Sequence, residues 1–404
     1  IARAMPTRFF IPPDNSAASV NGQLSSGTEA DGSVTEIKFD ARGHPTSIKT
    51  AGAKGEDSEI KPHLSVEGLL LSLTHPEGRT ETHVYDTENP IFRSRGNLLS
   101  TTVDPGPRGG EGYSETFAYD PRYNQPSGEH GDANGFKHVF TLQSDGRALA
   151  SISHGASGSE TMSYNDHGQM LGSIDTRGVS SEMAYDPSRG FLSTSTIGGN
   201  TSVLSYDNSI ASKLGNPASI TPPAGETTHV KYNAGVQIVE SNRGDSIIRR
   251  AYDERGHEVF THEELGGGQA RVTRRVFDET GFMRRLTTDG VEVDGVPESL
   301  TYLYTPDELF RVQSIAHPGG TVQTFEYDKR SQLTQMTLGS YVEETRRDRH
   351  GNIMEIRQGG DVVSMVEYDG LDRPRLVIKK TGTHDETTTT RYFPGGQVRG
   401  LVMG

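Results

Sequence analysis

The 404-residue sequence predicts an all-β chain built from consecutive β-hairpins. Three observations predict it. A short phrase, aromatic–acid–x–x–Gly, is rewritten along the chain: FDARG at 39–43, YNDHG at 164–168, YDERG at 252–256, FDETG at 277–281 and RDRHG at 347–351. The phrase returns roughly every two dozen residues, which marks a repeat architecture. No window places apolar residues at helical spacings of three and four, and 48 glycines and 20 prolines favour turns.

Residues 1–33 are polar and read as a leader or partly ordered N-terminal segment; the repeats run over 34–404. Anchored on the aromatic position, the repeats fall at Phe39, Tyr85, Tyr119, Tyr164, Tyr185, Tyr206, Tyr232, Tyr252, Phe277, Tyr304, Tyr327, Arg347, Tyr368 and Tyr392. From Tyr164 onward the steps lie between 20 and 27 residues. Wider gaps earlier hold degenerate copies, LSVEG at 64–68 and LQSDG at 142–146.

Each unit has the same physical logic. The residue two before the aromatic is apolar, as at Ile37, Met162, Met183, Val230, Phe325 and Val366, and the one between is often polar. That alternation is a half-buried strand. The acid then opens a turn by bonding to backbone beyond it, at Asp40, Asp186, Asp253, Asp278, Asp328 and Asp369. A glycine supplies the positive φ the reversal needs, at Gly43, Gly168, Gly190, Gly256 and Gly281. A second strand leaves the glycine, as in GNIMEI at 351–356. A second turn closes the unit: HPEG at 75–78, DTRG at 175–178, HPGG at 317–320. Long loops are expected at 51–63, 104–113 and 208–225.

Composition narrows the function. Only 31% of residues are hydrophobic and tryptophan is absent, which is lean for a compact domain of this length. A net charge of -14 argues against wide nucleic-acid binding, which needs basic patches. The runs Arg271–Arg275 and Arg346–Arg349 are short and read as solvated strand faces. Without cysteine there are no disulfides, cysteine nucleophiles or cysteine zinc sites. No run approaches the roughly 18 apolar residues of a membrane span. The start at Ile1, without an initiator methionine, reads as a fragment or processed piece.

No constellation rises to chemistry. His257 and His262 are five apart on an expected strand and point to opposite faces, whereas a zincin needs them four apart on a helix. Asp132-Ala-Asn134-Gly135 lacks the later ligands of a calcium loop and reads as an ordinary turn. The glycines at 266–268 lack the lysine of a phosphate loop and read as a hairpin tip. The repeated aspartates follow the repeated turn, whereas a catalytic pair is needed once. The expectation is a chain that is not an enzyme, with no catalytic, cofactor or metal residues.

The phrases YDERG, FDETG, FDARG and YDPSRG, with partner strings such as THPEGRTETHVYD at 74–86 and HPGGTVQTFEYD at 317–328, resemble the YD-repeat, or Rhs-repeat, family. That family includes bacterial Rhs and polymorphic toxins, the B and C components of insecticidal toxin complexes, wall-associated proteins and teneurins. The resemblance covers about residues 34 to 400. It implies a curved sheet spiralling round a hollow interior, a β-shell or an open portion of one. It implies a structural role in a larger secreted or surface-delivered bacterial protein, enclosing other regions of that polyprotein or a toxin cargo. Two alternatives remain open: recognition of cell-surface glycans through exposed aromatics, and an enzyme acting on polysaccharide or peptide. The family's C-terminal self-cleavage segment has no match here. The Asp-Pro pairs at Asp104, Asp120 and Asp186 sit in repeat turns, so no cleavage residues carry over.

Overall fold

The computed structural model describes residues 17–20, 23–28, 34–51, 57–266, 268–293, 296–382 and 384–404. They form thirty-four strands, from Ala17–Val20 to Val398–Met403. Every strand pairs antiparallel with the one before it and the one after it in sequence. The result is one open meander of a sheet, all-β as the repeats predict. Helix among the described residues is confined to the turn Ile210–Lys213 and short 3-10 turns such as Gly106–Arg108.

Curvature is written into the repeat. Pairing slips by one residue where the strand reaches its anchor, as between Ala184 and Tyr185, Ala251 and Tyr252, Glu326 and Tyr327, and Glu367 and Tyr368. Such a bulge bends its strand and tightens the local twist. Repeating it at one phase in successive hairpins bends the sheet repeatedly in one sense.

The sheet has almost no packed core. Among the described residues only Val103 and Ala211 are buried hydrophobics. The accessible surface is 24727 Å2, against roughly 15,000 Å2 for a compact protein of this mass. A single layer with both faces accessible accounts for the excess, and for the lean hydrophobic content of the sequence.

The expected loops are shorter than their sequence windows. In 51–63 the strand Ser58–Leu64 begins early, because Ile60 pairs with Ile48 across the hairpin; residues 52–56 lie outside the described residues. The window 208–225 is broken by Ile210–Lys213 and by the strand Ser219–Thr221. The loop at 104–113 holds the Gly106–Arg108 turn. Within 1–33, Ala17–Val20 and Gln23–Thr28 are strands, and the latter pairs with Val34–Phe39. The remainder of that segment, and Gly267 of the expected glycine tip, lie outside the described residues.

Candidate functional site at the seam of the sheet

Turns come first, because they make the site. In six of the motif turns one carboxylate oxygen, Oδ1, accepts backbone amides. Asp40 takes Arg42 at 2.8 Å and His44 at 2.9 Å. Asp253 takes Arg255 and His257, both at 2.9 Å. Asp278 takes Thr280 and Phe282, Asp328 takes Arg330 and Gln332, and Asp369 takes Leu371 and Arg373. The turn at Asp186 is one residue longer, so its amides come from Ser188 and Arg189. At Asp40, Asp186, Asp253 and Asp278 hydrogen bonds of the turn hold the carboxyl below its ordinary value. The hydroxyl of Thr280, with Arg284, holds Asp278 down to about 2.

Gly43, Gly168, Gly190, Gly256 and Gly281 all have positive φ. At the equivalent position of other copies stand Val236 (φ 64), Ser331 (φ 58) and Asp372 (φ 61). A β-branched valine there is strained.

The anchor aromatics do more than pack. Tyr185 donates its hydroxyl to the Met170 carbonyl at 2.8 Å, Tyr252 to Ile238 at 2.9 Å, Tyr327 to Val312 at 2.8 Å and Tyr368 to Ile353 at 2.9 Å. Each acceptor lies two residues after the positive-φ residue of the preceding motif turn. The tyrosine therefore clasps one repeat to the next. Phe39 and Phe277 have no hydroxyl; Phe277 stacks instead on the His257 ring, centroids 4.6 Å apart. Tyr164 sits half-buried at the same strand position. The clasp was missed from sequence, although the preference for tyrosine over phenylalanine was its signal.

The curved sheet brings distant turns together. Arg108 Nη1 donates to Asp348 Oδ2 at 2.7 Å, and Arg79 Nη1 to Asp372 Oδ2 at 2.9 Å. The Arg349 amide donates to Glu77 at 3.3 Å, and the Gly370 amide to the Gly109 carbonyl at 2.6 Å. Asn134 accepts the Gly395 amide at 2.8 Å and donates to Gln397 at 3.0 Å; Arg399 donates to Glu111 at 3.0 Å. Partners are 240 to 293 residues apart. The turn after the sixth strand meets the turn after the twenty-ninth, the eighth meets the thirty-first, and the tenth meets the thirty-third. These facing turns are 23 strands apart, and the Arg108–Asp348 and Arg79–Asp372 bridges run diagonally between them, 21 and 25 strands apart. Turns after even strands lie on one edge of the ribbon, and motif turns, after odd strands, on the other. The motif edge of one circuit therefore rests on the plain edge of the circuit before it.

Contact there is close. A Cβ on Gly370 would collide with the Pro105 carbonyl, which explains glycine directly after Asp369. Asp348 and Asp369 are only 4% and 5% exposed, the sole buried carboxylates among the described residues. Burial pushes the Asp348 carboxyl up, but Arg108 and Asn352 overcome it and hold it below its ordinary value. Around them His75 bonds Glu81 at 2.8 Å and receives Arg79 at 3.2 Å, while His350 bonds Asp372 at 2.6 Å.

Of the motif residues chosen from sequence, Tyr368 and Asp369 belong to the seam; Phe39, Tyr164, Tyr185, Tyr252, Phe277, Tyr327 and their turns lie elsewhere along the ribbon. The seam residues Glu77, Arg79, Arg108, Asp348 and Asp372 were not singled out. One signal existed: RDRHG replaces the aromatic by Arg347, whose Nη1 holds the Gly351 carbonyl at 3.0 Å. Two readings need correction. Arg346–Arg349 is not one strand face, because the strand Tyr341–Arg347 ends there and Arg349 sits in a seam turn. His257 is in a turn, not on a strand, because Asp253 binds both its amide and its ring; the strand starts at Glu258. The Asp132 turn caps the amides of Asn134 and Phe136. Among the described residues no group of three or more His, Asp or Glu could hold a metal, and no helix is long and apolar enough to cross a membrane.

This geometry defines a class: a ribbon of hairpins wound past one full circuit. No family model and no curated protein sequence matches the chain. Solved structures do. A TcdB2-TccC3-Cdc42 crystal structure matches over 96% of this chain and 23% of that one, with 15% identity and TM-score 0.57. TcdB2-TccC3-TEV gives 96%, 22%, 14% and 0.56. A Tc holotoxin pore from Photorhabdus luminescens gives 94%, 23%, 14% and 0.51. The chain thus spans less than a quarter of the length of these toxin-complex chains. At such identities the likeness shows the fold, and it is the fold that the YD-repeat resemblance implies.

Proposed function

We propose that the chain is a non-catalytic portion of a β-shell, part of a larger secreted or surface-delivered bacterial protein, and that it encloses a toxin or another polypeptide region. The seam carries this reading: it makes the ribbon a wall that returns on itself. The likeness in fold to chains of TcdB2-TccC3 toxin complexes supports it. Size argues for the state of the contents. A circuit of 23 strands at about 4.8 Å per strand has a perimeter near 110 Å and encloses at most a circle about 35 Å across. Side chains on the inner face narrow that to roughly 25 Å. A folded 100-residue domain, with a radius of gyration of about 13 Å, does not fit. An extended polypeptide does.

Limited proteolysis of the full-length natural gene product tests the reading. An enclosed segment resists protease while the seam is intact and is cleaved when Arg108→Glu opens it. Equal cleavage in both, together with a compact, filled scattering profile of this chain, would defeat containment.

A further inference from the structure

The seam gathers histidines where the two circuits touch. His75 and His350 face each other across it edge to face, centroids 5.8 Å apart. His75 Nε2 lies 2.8 Å from Glu81 Oε1, and Arg79 Nη2 lies 3.2 Å from both His75 Nδ1 and His75 Nε2, so the guanidinium rests against the ring. A neutral imidazole accepts a cation at that distance, whereas a charged one repels it. The same Arg79 reaches Asp372 across the seam through Nη1. His75 thus steadies the arginine that joins the circuits.

We propose that the seam is an acid-opened latch: a proton added to the His75 ring displaces Arg79 from its bridge to Asp372 and parts the two circuits. The proton comes from solvent, and no covalent bond changes. Groups facing the site come from every neighbouring element. The first circuit supplies Glu77, Arg79, Glu81, Arg108, Tyr113 and Glu115. The second supplies Asp348, His350 and Asp372, with the Asp369–Arg373 pair beyond. Carboxylates outnumber arginines around His75, and at long range they favour a proton there. At contact range the charged ring would stand 3.2 Å from a guanidinium.

Burial first, and Arg79 second, lower the pKa of His75, outweighing Glu81. The closed seam therefore binds fewer protons than the open one. Closure is at full strength above the free histidine value of about 6.5 and weakens as pH falls below it. The latch stands on the seam alone and holds whether or not the ribbon encloses anything.

Amide hydrogen exchange reads the seam directly, because the Gly370 amide bonds the Gly109 carbonyl across it. With intrinsic pH effects removed, Gly370 protection is expected to fall several-fold between pH 7.5 and 5.5, while amides in Leu192–Ile197 hold. In His75→Gln, which keeps a donor and an acceptor but cannot titrate, protection should persist at pH 5.5. An equal fall in both proteins, or constant or rising protection in the wild type, overturns the latch. If His75→Gln is already unprotected at pH 7.5, Arg79→Gln decides. Without the cation, protection should be lower at both pH values and its fall between them smaller, because burial alone remains to oppose the proton; an undiminished several-fold fall overturns the proposal.

Discussion

Asp278 and Asp348 open turns of the same design: in each, Oδ1 accepts the amides of the residues two and four further on. Their second oxygens differ. Asp278 Oδ2 bonds Arg284 within its own hairpin at 2.7 Å, and water reaches the pair. Asp348 Oδ2 bonds Arg108 from another circuit, 240 residues away, at 2.7 Å, and Asp348 is buried. The phrase builds the turn; the circuit decides what the turn carries. One sequence element serves as a hairpin cap on the open edge and as a socket in the seam.

The sharpest way to break that comparison is to remove both carboxylates in turn. Asp348→Ala leaves Arg108 facing a buried gap and should cost about 3 to 5 kcal/mol. Because repeat arrays unfold in parts, the loss should appear as fast exchange at Arg349 and Gly370. Asp278→Ala should cost far less and stay within its hairpin. Equal effects would mean that the seam adds nothing. Closely below comes Gly370→Ala, whose methyl group meets the Pro105 carbonyl; overpacking of this kind costs about 1 to 3 kcal/mol. It should raise exchange at Gly395 as well, as the neighbouring turn of the same seam.

Acid sharpens the contrast further. Asp348 is held below its ordinary value, so its contribution is complete above about pH 4 and fades as pH falls through its lowered value. A seam loss in that range, separate from the histidine window, should vanish in Asp348→Asn; chemical denaturation at pH 3 and pH 6 measures it. Smaller effects test the clasp. Tyr185→Phe and Tyr368→Phe each remove one hydroxyl bond and should cost about 1 kcal/mol, the second also loosening the seam. The smallest change is a gain: Val236→Gly relieves a positive φ and should stabilise its hairpin by roughly 1 kcal/mol, seen as slower local exchange.

Local features were legible in the sequence because their causes are local. An aspartate two to four residues from the amides it caps, and a glycine at a forced φ, sit within one short phrase, so Asp40, Asp253 and Gly256 could be placed without coordinates. Alternation placed strands such as Ser180–Tyr185 for the same reason. The tyrosine clasp spans 14 to 18 residues and asks which hydroxyl meets which carbonyl, which needs the bulge phase. Seam partners were beyond reach. Pairing Arg108 with Asp348 depends on curvature summed over 21 strands, and no phrase encodes that sum. Only the oddity of RDRHG hinted that one copy answers to something other than its neighbours.

The constant offset between docked turns constrains how such a gene can change. In many tandem arrays a unit can be duplicated or lost by slipped replication with little penalty, since each unit meets only its neighbours. Here a hairpin gained or deleted between residues 112 and 348 would bring every later turn to the wrong socket, placing a new side chain opposite Arg108 and Arg79. Whole-unit insertions are therefore expected outside that interval, whereas inside it related genes should differ by substitution and by loop length.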